Sequence, residues 1–178
     1  SMVGVDDRAA AYQAVSYLIQ QGHRKIAVLG GPATSYPSMM RRQGAQQAME
    51  DAGIRFEDKL YGLSNYDFES AYHAMNGLLA RRAEFTALFA MSDVIAFGAI
   101  RALVSAGLRV PEDVSVIGFD GITMSRYCVP VMTTIVQPSE QIALQSIELL
   151  VRQIEHGTPA QTVTLQPELQ QGESVRAI

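Results

Sequence analysis

Two short apolar runs that each stop at an aspartate constrain this chain more than any other feature. The first, Ala87-Leu88-Phe89-Ala90, gives way to Ser92-Asp93, polar residues suited to a helix N-cap. The helix they open carries Val94, Phe97, Ile100 or Arg101, and Val104 at helical spacing, and Gly107 stands where a left-handed C-cap is needed. Pro111 then resets the chain, and a β-branched run from Val114 to Phe119 stops at Asp120-Gly121. Strand, helix, strand in this order predicts a right-handed crossover between parallel strands. Ligands of open parallel sheets lie beyond the carboxyl ends of the strands, so Asp93 and Asp120 are expected on one solvent-accessible rim. Each has a plainer alternative: Asp93 can serve only the helix dipole, and Asp120 can serve only a turn.

The flanking sequence repeats the pattern. A helix with Ala11, Val15, Leu18 and Ile19 on one face ends at Gly22, and Ile26-Ala27-Val28-Leu29 is a continuous apolar run suited to a strand buried on both faces. The loop from Gly30 to Pro37 lacks the Gly-Lys-Ser/Thr of a P-loop and the glycine spacing of a dinucleotide fingerprint. A helix is expected from about Ser38 to Ala52, with Met39 or Met40, Ala45, Ala48 and Met49 inward. Arg41 falls in its first turn, where a cation opposes the helix dipole. It is either a hint of an anionic or hydroxyl-rich partner or a solvated surface residue. Leu60 to Leu63 reads as a strand, and Tyr66 at its end is either a packing residue or a platform for a sugar or base face. Thr133 to Gln137 is β-prone, a helix from Ser139 shows Ala143, Ile147, Leu150 and Ile154 on one face, and Thr162 to Leu165 alternates as a strand. Repeated β and α elements predict a doubly wound α/β fold with a mostly parallel sheet.

Composition narrows the function classes. A net charge of −4 and a pI near 5.3 argue against a nucleic-acid surface on this chain, because phosphate binding needs clustered Lys and Arg. Cys128 is the only cysteine, which excludes an intramolecular disulfide and fits a reducing, cytoplasmic compartment. No long apolar run free of charge predicts a membrane span, and no signal-peptide pattern opens the chain; Ser1-Met2 running straight into a helical pattern places the expected natural N-terminus further upstream. His23 and His73 have no second ligand at metal spacing, so no metal site and no cofactor is predicted. An enzyme on a doubly wound sheet would need more: neither Lys25 nor Lys59 ends a strand with the aspartates, and no Gly-x-Ser-x-Gly elbow occurs.

Four ordered motifs, GHRKIAVLGGP from Gly22, SDVIAFGAIRAL from Ser92, GLRVPEDVSVIGFDG from Gly107 and PVMTTIVQP from Pro130, resemble the effector-binding core of LacI/GalR-type transcriptional repressors. The resemblance implies a periplasmic-binding-protein-like type I fold, mainly its C-terminal subdomain, and a small effector in a cleft. By this comparison residues 3–136 form the C-terminal subdomain, 137–165 supply a helix and strand of an N-terminal subdomain, and 166–178 return as a tail. The family's effector contacts fall on Arg41, Tyr66, Ser92, Asp93, Asp120 and Gln137, and its dimer interface on Phe97, Tyr127 and Cys128. Ser92 stands where an asparagine is common, Pro37 where some members place a hydroxyl residue, and Gly172 where an arginine often precedes Glu-Ser; the first two leave the ligand's identity open. The function implied is a cytoplasmic, non-enzymatic sugar sensor, a homodimer that reaches operator DNA only through an N-terminal helix-turn-helix outside this chain. A sugar-binding protein of a transport system with the same fold is the alternative. The apolar helix face at 143–154 is expected to pack on another copy of the chain or to be mobile.

Overall fold

Ile26–Gly30 is the strand on which the sheet is built, and all five of its residues are buried. The computed structural model describes residues 1–82 and 84–178. In chain order the elements are β1 (Met2–Val5), α1 (Asp7–Gln20), β2 (Ile26–Gly30), α2 (Tyr36–Asp51), β3 (Tyr61–Leu63), α3 (Phe68–Ala80), β4 (Ala87–Ala90) and α4 (Asp93–Ser105). They continue with β5 (Ser115–Asp120), β6 (Thr133–Val136), α5 (Ser139–His156), β7 (Thr162–Leu165) and β8 (Glu168–Gln170). Six strands form one sheet in the order β3-β2-β4-β5-β6-β8, parallel except for β8, which runs antiparallel to β6. The expected doubly wound, mostly parallel sheet is therefore present. Its interior is filled by Leu29, Leu88, Phe89, Ile117 and Phe119, all fully buried and each worth about 1.5–3 kcal/mol of transfer free energy.

Sequence and structure part at three places. The expected division put β1 with residues 3–136, but β1 pairs with β7 in a separate parallel pair, Met2 opposite Thr162 through Val5 opposite Leu165. That pairing occupies one edge of β1, and the free edge of β6 is taken by β8 instead. β8 itself is three residues long and follows Pro167, too short for a periodicity signal. On α4 the expected apolar face points the wrong way. Ile95, Ala96, Ala99, Ala102 and Leu103 are buried, whereas Val104 is exposed and Val94, Phe97 and Ile100 are half-buried. Small residues win the inner face because α3 comes so close: a Cβ on Gly98 would lie 2.6 Å from the Phe68 carbonyl oxygen.

The last residues are stitched to the opposite end of the sheet from the strand carboxyl termini. The Ser174 hydroxyl accepts from the Thr133 N–H at 2.8 Å and donates to the Val116 carbonyl at 2.6 Å. His23, also buried, bonds Arg176 O through Nε2 at 3.1 Å and Thr86 Oγ1 through Nδ1 at 2.9 Å. Only an Nε2–H tautomer can donate to that carbonyl, so Nδ1 accepts from threonine; burial pushes the imidazole pKa down and holds this neutral form. Gly172 packs its backbone on the start of β6, where a Cβ would come within 2.5 Å of Val131 O.

Ser174→Ala leaves a buried N–H and a buried carbonyl without their partner. It is expected to cost about 1–3 kcal/mol in urea denaturation with an unchanged slope. A loss of only a few tenths would show that the tail does not support the sheet.

Candidate functional site

Parallel pairing of β3, β2, β4, β5 and β6 brings their carboxyl ends to one rim, and the loops that follow deliver the site residues there. Arg41 is the centre of it. The inner face of α2 carries Ser38, Arg41, Ala45, Ala48 and Met49, so the guanidinium enters the protein with its side chain 7% exposed, while Met39 faces solvent. Nε donates to Asp7 Oδ1 at 2.7 Å, and Nη1 donates to the Met91 carbonyl and, at 3.5 Å, to Asp120 Oδ1. The plane lies 3.6 Å over the centroid of the Phe119 ring, a cation–π contact. Nη2 makes no hydrogen bond among the described residues. The cation that opposes its own helix dipole is thus compensated from two other elements, the start of α1 and the end of β5.

Asp120 has φ of +114°, a region costly for a residue with a Cβ, at the last position of β5. Its Oδ1 also accepts from Gln137 Nε2 at 2.7 Å, and the Gln137 N–H bonds the Asp120 carbonyl at 3.0 Å. Burial raises the carboxyl pKa, opposed by the charge of Arg41 and the hydrogen bond from Gln137. The side chain is still 27% exposed, so Asp120 joins buried support to an open surface. An open depression of about 680 Å³ continues past it, lined by Gly121, Ile122, Thr123, Arg126, Gln137 and Glu140.

Asp93 is a correction. The sequence places it on the accessible rim, whereas the structure buries it completely above Gly118, where a Cβ would lie 2.2 Å from Oδ1. Oδ1 accepts from Thr134 Oγ1 at 2.6 Å and Oδ2 from the Ile122 N–H at 2.9 Å. The carboxylate ties α4 to β6 and to the loop after β5, and sets the course of that loop. Burial pushes its pKa up to about 6, with Asp120 adding repulsion and the two hydrogen bonds opposing.

Ser92 is buried too; its hydroxyl caps α4 by accepting from the Ile95 N–H at 3.1 Å. Tyr66, at φ +61°, lays its ring on Gly31 so closely that a Cβ there would sit 2.0 Å from it, and its buried hydroxyl has no hydrogen-bond partner among the described residues. Asp7 escapes a reading of the sequence. Asp6 already caps α1, accepting from the Ala9 N–H at 2.9 Å, and an acid in the first helical turn is ordinary dipole chemistry. Only knowledge that Arg41 is buried would have demanded a second carboxylate.

The expected interface residues lie on the outside of the same unit. Tyr127 is 77% exposed beside exposed Met124 and Val129. Phe97 stacks on Phe68 with centroids 6.2 Å apart, and the single S–H of Cys128 lies within reach of the Ser125 and Pro130 carbonyls. Among the described residues no group of three or more His, Cys, Asp and Glu side chains could hold a metal ion, and no helix is long and apolar enough to cross a membrane.

Comparison with known proteins gives this arrangement a family. The profile of the periplasmic binding protein-like domain matches residues 15–175. The chain belongs to that family. Its relatives include the HTH-type transcriptional regulator MalR of Clostridium butyricum, 38% identical over 98% of this chain and 52% of MalR. The HTH-type transcriptional repressor CytR of Escherichia coli K12 is 39% identical over 86% of this chain and 45% of CytR. Among solved structures, a complex of the transcriptional regulator CelR with cellobiose superposes with a TM-score of 0.93 at 35% identity, covering 98% of this chain and 54% of that one. The chain thus spans about half the length of the relatives it matches, and their names support the resemblance to LacI-type regulators.

Asp93 supplies a pH test. Unfolded, its carboxyl titrates near the ordinary 3.8, and folded it keeps its proton to about 6, so the protonated form favours the folded state. That contribution is complete below pH 3.8 and lost as pH rises through 6. Relative to Asp93→Asn, the wild-type chain is expected to lose roughly 2–3 kcal/mol between pH 4 and 6.5 in urea titrations, at 1.36 kcal/mol per pKa unit. His23 titrates in both proteins and cancels; a gap independent of pH would show that Asp93 does not titrate in this range.

Proposed function

We propose that this chain is the effector-binding part of a LacI-type transcriptional regulator, a sensor without catalysis, with the effector, a sugar, held on the rim of the six-stranded sheet. The observation that carries the reading is Arg41. Its guanidinium is held by Asp7, Met91 and Phe119 beside Asp120, whose side chain is partly open. Arg41, Asp120 and Gln137 hold polar groups of the ligand, Tyr66 covers an apolar face, and Ser92 and Asp93 fix the loops beneath them. CelR in complex with cellobiose, a regulator bound to a sugar, supports the choice of ligand class.

On this reading β1, β7 and α5 belong to a second subdomain. In keeping with that, α5 packs on β1 and leaves Ala143, Ile147, Leu150 and Ile154 exposed, a face too apolar to remain in water in the intact protein. Operator DNA is contacted by an N-terminal segment outside this chain. Effector binding changes DNA affinity by favouring one subdomain arrangement over the other. A thermal-shift screen of sugars and nucleosides on the full-length protein tests the reading, and a full-length protein that no member of the screen stabilises would overturn it.

Asp120→Asn is expected to weaken effector binding by about 1.5–3 kcal/mol, the scale of a charged hydrogen bond, with little change in melting temperature. Arg41→Ala is expected to lose stability as well as affinity, because it leaves Asp7 and the Met91 carbonyl unpartnered. Calorimetry and melting curves on both variants separate the two roles.

The proposed homodimer uses the outer side of α4 and the Tyr127 loop, with exposed Tyr127 and half-buried Phe97 and Cys128. Sedimentation velocity on the full-length protein is expected to give a dimer that Tyr127→Asp shifts toward monomer. A wild-type monomer at high concentration would remove this interface.

A further inference from the structure

We propose that the end of the sheet opposite the rim is a docking surface for an acidic protein segment. Lys25 precedes β2, Lys59 precedes β3, Arg55 follows α2, and Arg81 and Arg82 follow α3, so five cations gather at the amino ends of β2, β3 and β4. Two adjoining open depressions join them. One is lined by Lys25, Lys59, Arg81 and Arg82, the other by Arg55, and Glu57 and Lys59 line both. All five cations are exposed, and Lys25 and Lys59 are the only lysines of the chain. The carboxylates set among them are Glu57, Asp58 and Glu84, which leaves a local excess of two positive charges on a chain whose net charge is −4. Asp58 is already answered from α2, by Arg42 at 3.7 Å.

A cation just past a helix offsets its dipole, and that role accounts for Arg81 and Arg82. It does not account for Lys25, Arg55 and Lys59, none of which lies in an α-helix. Lys25 pairs with Glu84 and Lys59 with Glu57, but every one of these side chains is at least 38% exposed, so the pairs are weak and can exchange. Arg55 and Arg82 hold no ion pair among the described residues. Arg81 is fixed, donating to the Lys59 and Tyr61 carbonyls at 3.3 Å. An incoming carboxylate thus meets two uncommitted guanidiniums and two flexible lysines that can change partner. The interleaved acids decide the partner class. A nucleic-acid backbone presents only negative charge and would lie against Glu57 and Glu84, whereas an acidic protein segment with an occasional Lys or Arg answers both signs. The chain crosses between its two sheets at 5–7, 136–139 and 165–168, all at the rim end, so a second subdomain joined there leaves this end uncovered.

The experiment is fluorescence anisotropy on the full-length protein with three labelled probes: a short glutamate–serine peptide, the matching glutamine–serine peptide and a random-sequence DNA duplex. It is repeated on Arg55→Glu/Arg82→Glu. The acidic peptide is expected to bind and the glutamine peptide not to, and the double variant is expected to weaken the acidic peptide roughly fivefold or more. That affinity is also expected to fall as salt rises, because the contacts are between exposed charges. The duplex is expected to bind wild type and variant alike. Neither arginine holds an ion pair among the described residues, so the melting temperature is expected to be unchanged; if the variant does not fold, Arg55→Glu alone is read in the same way. No binding of the acidic peptide, equal binding of the glutamine peptide, or equal affinity in the variant overturns the proposal. A variant that loses the duplex as much as the peptide also overturns it, because the surface then reads phosphate. None of these results bears on the sensor reading.

Discussion

The ion pair of Arg41 with Asp7 is the interaction on which the rim depends. A guanidinium brought inside a protein must be paired and hydrogen-bonded or it costs several kcal/mol, and here one side chain joins the start of α1, the end of β4 and the end of β5. Those elements are distant in sequence and have no other reason to share a polar atom. Phe119 supplies the apolar floor beneath the cation, so the core of the sheet and the charge of the site meet at a single ring.

Two carboxylates at equivalent strand ends have taken different roles because of their surroundings. Asp93 is enclosed, with both oxygens used by the chain, and its proton affinity rises accordingly. Asp120 has the same chemistry but a partly open side and a cation beside it. Sequence spacing places both at the ends of adjacent parallel strands and cannot tell them apart. The difference is made by Gly118 and Thr134, neighbours across the sheet that spacing along the chain does not reveal.

Much of the fold is legible because buried parallel strands must be apolar throughout and helices between them must be capped. Ile26–Gly30, Ala87–Ala90 and Ser115–Asp120 declare themselves in this way, and so does the place of Asp120 at the end of its strand. What stays hidden is whatever depends on distance between elements. The inner face of α4 is set by how near α3 comes to Gly98, so larger apolar residues that look like core turn outward. Asp7 is hidden for a similar reason, since its partner lies one helix away and its own surroundings in sequence explain it without that partner.

The separate pairing of β1 with β7 gives the rim a mechanical setting. The chain enters the six-stranded sheet's unit between Val5 and Asp7 and leaves it between Val136 and Ser139. Arg41 grips the first passage through Asp7, and Asp120 grips the second through Gln137. A torque on either of these two crossings, out of three that include the return between Leu165 and Glu168, would therefore be felt at Arg41 and Asp120, the side chains proposed to hold the effector. On the proposed function, occupying the rim and stiffening the joint would be one event, with no relay of intervening residues to carry the signal between them.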